Sequence, residues 1–281
     1  MSSIRRSVQV MELLARKGSL GVRPVAQQLG LPLGSVHRLL LDLEAEGVAE
    51  RTLEGEWALS FRLLEITGMQ LDRIELPQLA RPFADRIAEE TRETVNLNAL
   101  HNMMGVTIDK VRGNEGMQLD MRIGSRGPLN CGGAGKAMLA FMPPEQQQLV
   151  YAQPLRQLTP YTIIDPRELE REVQRVRQRG YSLDYDEVVV GVRCVAMPIL
   201  NRAGHAVGAL SISGPSAKQP GPELDHMVAL LGEACGHISR RLGYAETYPA
   251  AAGAGGERRY PASLTGDQHA FGMGDEAEAR Q

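Results

Sequence analysis

Residues Val22–Leu41 read VRPVAQQLGLPLGSVHRLLL, and this stretch decides the fold of the N-terminal part of the chain. Apolar residues at positions i, i+1 and i+4 from Val25 give a first helix one buried face, and Gly30 ends that helix. Pro32 then starts a second helix, because proline is tolerated in a first turn. The apolar face of the second helix consists of Val36, Leu39, Leu40 and Leu43. The pattern predicts a helix-turn-helix, with a plain αα-hairpin in an all-helical core as the alternative.

The outward face of the second helix carries polar residues of the types that contact DNA. Ser35, His37 and Arg38 can reach base edges or phosphate groups. The first 41 residues contain six basic residues and one acid, whereas the next 19 contain six acids and one arginine. Because phosphates attract cations, this charge distribution favours DNA binding by the helix-turn-helix.

The segment after the second helix is VAERTLEGEWALS (48–60), which predicts two short strands joined by a two-residue loop at Glu54–Gly55. A hairpin in this place is typical of a wing that lies along the DNA backbone. A hairpin that only covers the core is the alternative. The predicted DNA contacts are Arg5, Arg6, Arg23, Ser35, His37, Arg38 and, on the wing, Arg51.

The composition is typical of a soluble globular protein. At 281 residues, with 43% hydrophobic and 23% charged residues, the chain has room for two domains. Its three cysteines form no CxxC motif, which favours a reducing compartment over a disulfide-linked scaffold. No apolar run approaches about eighteen residues and the N-terminus shows no signal-peptide pattern, so we expect a cytoplasmic protein without a membrane span.

The rest of the chain predicts an α+β domain with a central antiparallel sheet. Three strands (94–100, 105–111 and 117–123) precede several helices, and two further strands (187–200 and 206–213) precede a last helix. The final 37 residues hold one leucine and no valine or isoleucine, which predicts disorder. The predicted domains are a winged helix-turn-helix at 1–60 (helix-turn-helix at 22–41), a connector helix at 61–76, the α+β domain at 77–244 and a disordered tail at 245–281.

The glycine-rich segment NCGGAGKA (130–137) is similar to a phosphate-binding loop but lacks two of its residues. The motif G-x-x-x-x-G-K-[ST] needs glycine at Asn130 and serine or threonine at Ala137. Without that hydroxyl there is no magnesium ligand. What remains is a helix start whose backbone N–H groups can bind a carboxylate or phosphate. A tight helix start with glycines for packing is the alternative.

Two serines on a late strand indicate a small pocket. Ser211 and Ser213 are two residues apart, so both hydroxyls face one side of the strand while their apolar neighbours face the other. A polar pair on an otherwise apolar strand suits a pocket with a few placed hydrogen-bonding groups. Taken alone, Cys194 is typical of a small buried hydrophobe, and Asp184 is typical of a solvated turn.

The sequence indicates no metal or catalytic site, and no cofactor is expected. The six histidines are scattered, and none has a ligand spacing to a cysteine or an acid. No GxSxG motif is present. An enzyme with Cys194 as its nucleophile is the rival hypothesis, although the sequence places no paired base beside this cysteine.

Together these segments resemble the IclR family of bacterial transcriptional regulators. The segments that carry the resemblance are LGLPLGSVHRLLLDLEAEG (29–47), GAGKAMLA (133–140), GVRCVAMPI (191–199) and ALSISGP (209–215). They occur in order, and the resemblance covers the chain from about Ser3 to Leu242.

The resemblance implies a GAF-like effector domain that binds a small carboxylate, and a homodimer or homotetramer on a palindromic operator in double-stranded DNA. The effector contacts that it implies are Gly133, Ala134, Asp184, Cys194, Ser211 and Ser213. Such a protein is a ligand-responsive repressor or activator of a catabolic operon. Aromatic-pathway acids and short 2-oxo or hydroxy acids are both compatible with the sequence.

Overall fold

The computed structural model describes residues 3–71, 75–113, 121–215 and 222–248. Contacts divide the chain into two compact units, Met1–Glu75 and Leu76–Gln281. Within the described ranges, no helix is both long enough and apolar enough to cross a membrane.

The N-terminal unit packs helices around a small antiparallel sheet with the strand order β1-β3-β2. Its elements are α1 (Ser3–Lys17), β1 (Ser19–Leu20), α2 (Val22–Leu29), α3 (Leu33–Ala45), β2 (Ala49–Arg51), β3 (Trp57–Leu59) and α4 (Arg62–Leu71). The predicted inner faces of α2 and α3 lie in one core together with Trp57, which is 1% exposed. The helix-turn-helix is therefore confirmed, and it carries a wing.

The turn between α2 and α3 depends on Gly30. Its φ of 62° lies in the left-handed region, which glycine adopts without steric cost. The N–H of Leu31 donates to the carbonyl of Ala26 over 3.0 Å, which satisfies a carbonyl group at the end of α2. Pro32 caps α3 in an extended conformation, so the helix begins one residue later than the proline.

The wing differs from the prediction in its loop and in an additional strand. The N–H of Thr52 donates to the carbonyl of Glu56 over 2.9 Å, so residues 53–55 form a three-residue loop instead of the two-residue loop. On the other edge of β3, β1 pairs Leu20 with Trp57. A strand of two residues is too short to produce a recognisable alternation of apolar and polar residues.

The C-terminal unit is an antiparallel sheet with helices on both faces and the strand order β6-β5-β4-β9-β8-β7. Its elements are α5 (Glu75–Thr91), β4 (Thr94–His101), β5 (Met104–Val111), β6 (Arg126–Pro128), α6 (Gly133–Ala140), α7 (Pro144–Tyr151), α8 (Pro166–Arg179), β7 (Ser182–Tyr185), β8 (Val192–Leu200), β9 (Ala206–Pro215) and α9 (Pro222–Arg241). The predicted α+β fold with a central antiparallel sheet is confirmed.

Alternate residues of β8 face different helices. A Cβ built on Gly133 of α6 would lie 3.1 Å from the Cβ of Ala196. The next residue, Met197, faces α9, where a Cβ built on Gly232 would lie 3.8 Å from its terminal methyl group. Because side chains of a strand alternate between the two faces, α6 and α9 cover opposite sides of the sheet.

Two strand predictions need correction. The third predicted strand, 117–123, lies partly outside the described residues, and its described part, 121–123, is not a strand. The strand that pairs with β5 instead is β6. The strand predicted from Glu187 begins only at Val192, because the preceding residues form a loop that ends at Gly191 with a φ of 90°.

The two ends of the predicted α+β domain also differ from the prediction. The connector helix predicted at 61–76 falls on α4 and the start of α5, and residues 72–74 lie outside the described ranges. Pro77, the residue after the predicted connector helix, lies in the first turn of α5, where a missing N–H costs no helical hydrogen bond. The tail predicted from 245 is packed as far as Tyr248, which is 8% exposed and donates a hydrogen bond to the carbonyl of Pro198. The rest of that tail lies outside the described residues.

Candidate effector pocket and DNA-facing helix

A cavity lies between the sheet and the N-terminus of α6. It contains about 640 Å³ of empty space, including its opening to solvent. The six predicted effector contacts all line it: Gly133, Ala134, Asp184, Cys194, Ser211 and Ser213. The fold thus brings residues 80 positions apart to one place.

The register of the sheet explains why the polar side chains are neighbours. Asp184 of β7 pairs with Cys194 of β8, and Cys194 pairs with Ser213 of β9. Two residues before Ser213 on β9, Ser211 pairs with Asn96 of β4. Since directly paired side chains lie on one face of a sheet, these residues form a polar stripe under the start of α6.

The start of α6 approaches the sheet closely because it consists of glycines. Gly132 has a φ of 74° and precedes the helix, and a Cβ built on Gly133 would lie only 2.8 Å from the thiol sulfur of Cys194. The first N–H groups of a helix have no acceptor within the helix. At the start of α6, these N–H groups supply hydrogen-bond donors and a positive potential. They lie at the wall of the cavity opposite the polar stripe.

Asp184 is buried in β7, so its interpretation as a solvated turn residue is wrong. Its side chain is 3% exposed, and its Oδ1 accepts a hydrogen bond of 2.8 Å from the N–H of Glu187. Burial, followed by the negative charge of Glu187, raises the pKa of Asp184 to about 7. Lys136 opposes this shift. The carboxyl group therefore carries a proton up to about neutral pH.

Lys136 and Glu187 form an ion pair in the interior beside this carboxyl group. Their side chains are 1% and 3% exposed, and Lys136 also donates to the carbonyl of Leu183 over 2.6 Å. The second carboxylate oxygen of Glu187 accepts from the N–H of Gly132 over 3.2 Å. The lysine of the glycine-rich segment thus binds the protein itself, and Glu187 fixes the start of α6. Neither role is apparent from the amino-acid sequence.

Two threonines hold the loop that carries Glu187. Thr162 donates to the carbonyl of Glu187 over 2.6 Å, and Thr159 donates to the carbonyl of Asp186 over the same distance. Asp186 in turn accepts from the N–H of Gly191 over 2.6 Å. These hydrogen bonds hold the loop in place, and its next residue, Val188, lines the cavity.

Cys194 does not have the environment of a nucleophile. Burial and the neighbouring Asp184 raise the pKa of its thiol to about 11, although Ser213, Ser211 and the backbone of Gly133 partly oppose the shift. The thiol is therefore protonated at neutral pH, whereas the thiolate is the reactive form. This environment disfavours the rival hypothesis of cysteine catalysis.

The cavity continues past the serines to polar residues that sequence analysis missed. Asn96 and Asn98 of β4 and Thr107 of β5 line it, and they are 4%, 9% and 1% exposed. The segment TVNLNAL places two asparagines at i and i+2 of a strand. This is the same signal that identified Ser211 and Ser213, and it could have identified the asparagines as well.

The predicted DNA contacts lie in the N-terminal unit, at different degrees of exposure. His37, Arg38, Arg23 and Arg5 are exposed, whereas Ser35 and Arg6 are half-buried. Arg51 is exposed, but its guanidinium group is engaged: its carbon lies 4.3 Å from the ring centroid of Trp57 in the wing, and its Nε lies 3.5 Å from Glu44 of α3. In the described part of the chain, no group of three or more His, Cys, Asp or Glu residues could hold a metal ion.

Two family models match the chain. The model of the IclR helix-turn-helix domain matches residues 3–53, and the model of the C-terminal part of bacterial IclR transcriptional regulators matches residues 68–240. The chain belongs to the IclR family. The C-terminal model describes bacterial transcriptional regulators, and the curated relatives include the transcriptional repressor IclR of Escherichia coli.

Curated relatives span most of the chain. BhcR of Paracoccus denitrificans, a helix-turn-helix transcriptional regulator, is 30% identical over 239 residues, which are 84% of this chain and 86% of the relative. The acetate operon repressor of Salmonella typhimurium is 30% identical over 248 residues, which are 86% of this chain and 90% of the relative.

Solved structures share the fold. The IclR protein of Thermotoga maritima aligns with a TM-score of 0.75 and 29% identity, over 86% of this chain and 98% of that protein. An IclR homologue of Microbacterium hydrocarbonoxydans, crystallised with 4-hydroxybenzoate, aligns with a TM-score of 0.75 and 25% identity, over 86% of this chain and 99% of that protein.

Proposed function

We propose that this protein is a ligand-responsive regulator that binds operator DNA through α3 and binds a small carboxylic acid in the cavity of the C-terminal unit. The observation that carries the proposal is the convergence of a helix N-terminus and the polar stripe Asp184, Cys194, Ser213 on one cavity. It is supported by the family membership and by the homologue crystallised with an organic acid.

On the DNA side, α3 enters the major groove. Its apolar residues are occupied in the core, which leaves the exposed His37 and Arg38 and the half-buried Ser35 for base edges and phosphates. Arg5, Arg6 and Arg23 neutralise phosphates. A palindromic operator has two half-sites, and a homodimer places one copy of α3 on each of them. Two such dimers form a homotetramer.

On the effector side, the carboxylate accepts hydrogen bonds from the first N–H groups of α6, at Gly133 and Ala134, and from Ser211 and Ser213. Asp184 has a pKa of about 7, so it holds a proton that it can donate to the effector instead of repelling it. An apolar wall completes the cavity, as is usual in sites for small organic molecules.

The two sites are linked by a coupling free energy. The acid changes the affinity for DNA only if it binds one arrangement of the protein better than another, and such couplings are typically about 1–3 kcal/mol. Whether DNA binding then represses or activates a catabolic operon depends on where the operator lies relative to the promoter.

A mobility-shift titration tests the proposal with the full chain and a DNA fragment from upstream of its own gene. We expect a shift that survives excess non-specific DNA and changes when the effector is added. The double variant Ser211→Ala/Ser213→Ala should lose the response to effector and keep the shift. Absence of any specific shift at moderate salt would refute DNA regulation, and an unchanged effector response in the double variant would refute the cavity as the sensor.

A further inference from the structure

The cavity at the start of α6 has no cation in its described wall. Among the described residues that line it, none is lysine, arginine or histidine, and Asp184 is the only one with a carboxyl group. A carboxylate bound there meets neutral donors, namely the first N–H groups of α6 and the hydroxyl groups of Ser211 and Ser213. Such donors can stabilise one buried negative charge, but a second charge beside it remains uncompensated.

The buried cation behind this wall is already paired. Lys136 donates to a carboxylate oxygen of Glu187 and, over 2.6 Å, to the carbonyl of Leu183. The side chains of this ion pair are 1% and 3% exposed. The negative charge of Glu187 acts on Asp184 more strongly than the positive charge of Lys136 does. The ion pair therefore supplies no net positive charge to Asp184.

Asp184 presents one of its oxygens to the start of α6. Its Oδ1 accepts from the N–H of Glu187 over 2.8 Å. Its Oδ2 lies 3.9 Å from the position of a Cβ built on Gly132, the residue that precedes the helix. An acid that accepts hydrogen bonds from the N–H groups of Gly133 and Ala134 thus has its carboxylate group beside Oδ2 of Asp184.

The other titratable groups around Asp184 do not compensate a second negative charge. On the neighbouring elements these groups are Lys136 of α6, Cys131 before α6, Cys194 of β8, and Asp186 and Glu187 of the loop after β7. Burial raises the pKa of Cys194 to about 11 and that of Cys131 to about 12, so both thiols are neutral. Arg156, a cation near Cys131, is exposed, so solvent screens its charge. Arg193 follows on the opposite face of the sheet, where its Nη2 lies 3.1 Å from Glu93. The serines and the asparagine of the polar stripe do not titrate near neutral pH.

Two carboxyl groups that share a buried site cannot both be ionised. The effector arrives as an anion, because the pKa of an ordinary carboxylic acid is about 4. Burial, followed by the charge of Glu187, raises the pKa of Asp184 to about 7. Below pH 7, Asp184 already holds the proton that the two groups need. Above pH 7 Asp184 has lost this proton, so binding has to recover it from the solvent.

We propose that the effector carboxylate and Asp184 share one proton in the complex, so that the protein takes up a proton from solution when it binds the acid above neutral pH. The ionised protein, the effector anion and one solvent proton form a complex in which one of the two carboxyl groups is neutral. No other bond forms or breaks. The inference rests on the proposed function, because it assumes that the carboxylate binds at the start of α6. It adds that the proton is a second ligand of this site, so that the pH sets the sensitivity to the effector.

The test measures how the affinity of the full chain for acetate, pyruvate and benzoate depends on pH, by isothermal titration calorimetry. The tightest of these probes at pH 6 is followed to pH 9. We expect its affinity to fall by about tenfold per pH unit above 7, which is about a hundredfold over the whole range. Titrations in pairs of buffers that differ in their enthalpy of ionisation count the protons. We expect uptake of about one proton per bound acid at pH 8 and almost none at pH 6.

Two variants identify the group that takes up the proton. Asp184→Asn cannot ionise, so the ratio of its affinities at pH 6 and pH 9 should be about one, and its proton uptake at pH 8 should vanish. Asp85→Asn makes the same change at an exposed residue of α5, and it should keep the ratio and the proton uptake of the wild type. Thermal unfolding serves as the control for folding. The buffer comparison on the wild type needs no variant, so it decides the question even if Asp184→Asn does not fold.

The outcomes separate this inference from the proposed function. If an acid binds but its affinity changes by less than about threefold between pH 6 and pH 9, or no proton is taken up at pH 8, the shared proton is refuted while carboxylate sensing stands. Proton uptake that persists in Asp184→Asn also refutes it, since another group then accepts the proton. If none of the acids binds at pH 6 although the chain shifts its DNA, carboxylate sensing is refuted and the shared proton with it. Uptake of one proton that disappears in Asp184→Asn supports both.

Discussion

Lys136 donates a hydrogen bond to the carboxylate of Glu187 inside the C-terminal unit, although the two residues are 51 positions apart in the chain. The pair joins the first turns of α6 to the loop before β8. Through Glu187 it also holds the N–H of Gly132 and lies beside Asp184. A structural ion pair therefore fixes the wall of the cavity at the start of α6.

Removing only one member of this pair should be strongly destabilising. Lys136→Met leaves the carboxylate of Glu187 buried without its cation, and breaking a buried pair in this way costs about 3–5 kcal/mol. The double variant Lys136→Met/Glu187→Gln leaves no uncompensated charge and should recover part of the loss. Urea unfolding of the three proteins measures both effects. Equal stability of wild type and Lys136→Met would contradict the ion pair.

The pH dependence of stability should report the proton on Asp184. Its pKa of about 7 in the folded protein is above the value of about 3.9 for an unfolded chain, so the folded state binds the extra proton between these values. The stability that this proton provides is complete below about pH 3.9, decreases progressively between that value and 7, and is absent above about pH 7.

Asp184→Asn removes this loss, because the amide is neutral and its oxygen can still accept from Glu187. We expect Tm to rise by at least about 3 °C at pH 8 and to change little at pH 4. Thermal unfolding at the two pH values measures the difference. Asp85→Asn removes an exposed charge from the same unit and serves as the control. A variant that is less stable than the wild type at pH 8 would contradict the raised pKa.

Periodicity along one element made part of this structure predictable. The apolar faces of α2 and α3 follow the helical repeat, and the serines of β9 follow the two-residue repeat of a strand. Both signals are local, because the residues that produce them are close in sequence. These two signals were sufficient to predict the helix-turn-helix and one side of the cavity.

Features that depend on distant partners could not be predicted in this way. Glu187 and its neighbour Asp186 look like a solvated acidic cluster until the fold supplies Lys136 and two threonines. The valines after Glu187 have high β-propensity, so the pattern extended the strand over them, yet Val190 is 59% exposed in a loop. Tertiary contacts override propensity at these positions.

The close approach of α6 to the sheet should make Gly133 intolerant of a side chain. In Gly133→Ala the new methyl group would lie 2.8 Å from the sulfur of Cys194, and such overpacking typically costs about 1–3 kcal/mol. Binding of a small carboxylic acid in the cavity should weaken as well, since α6 has to move away from the polar stripe. Chemical unfolding and calorimetry measure the two effects.

Two controls identify the cause of this loss. Gly127→Ala adds the same methyl group to another residue of the cavity wall where nothing lies within 4 Å, so its stability should change little. Adding Cys194→Ala to Gly133→Ala removes the sulfur and should recover part of the stability. If the double variant recovers nothing, the contact with Cys194 is not the cause.

Arg38 and Arg51 of the N-terminal unit should have separable roles. Arg38 is exposed on α3, so Arg38→Ala should weaken specific operator binding by about 1–3 kcal/mol and leave the stability of the unit unchanged. Arg51 stacks on Trp57 and lies close to Glu44, so Arg51→Ala should lower the stability by about 0.5–1 kcal/mol through the lost cation–π contact. The effect of Arg51→Ala on DNA binding should be smaller than that of Arg38→Ala, because the guanidinium group of Arg51 is already engaged.

Mobility shifts measure the operator affinity of both variants, and thermal unfolding measures their stability. Operator binding by Arg38→Ala at wild-type affinity would show that another face of the unit meets DNA.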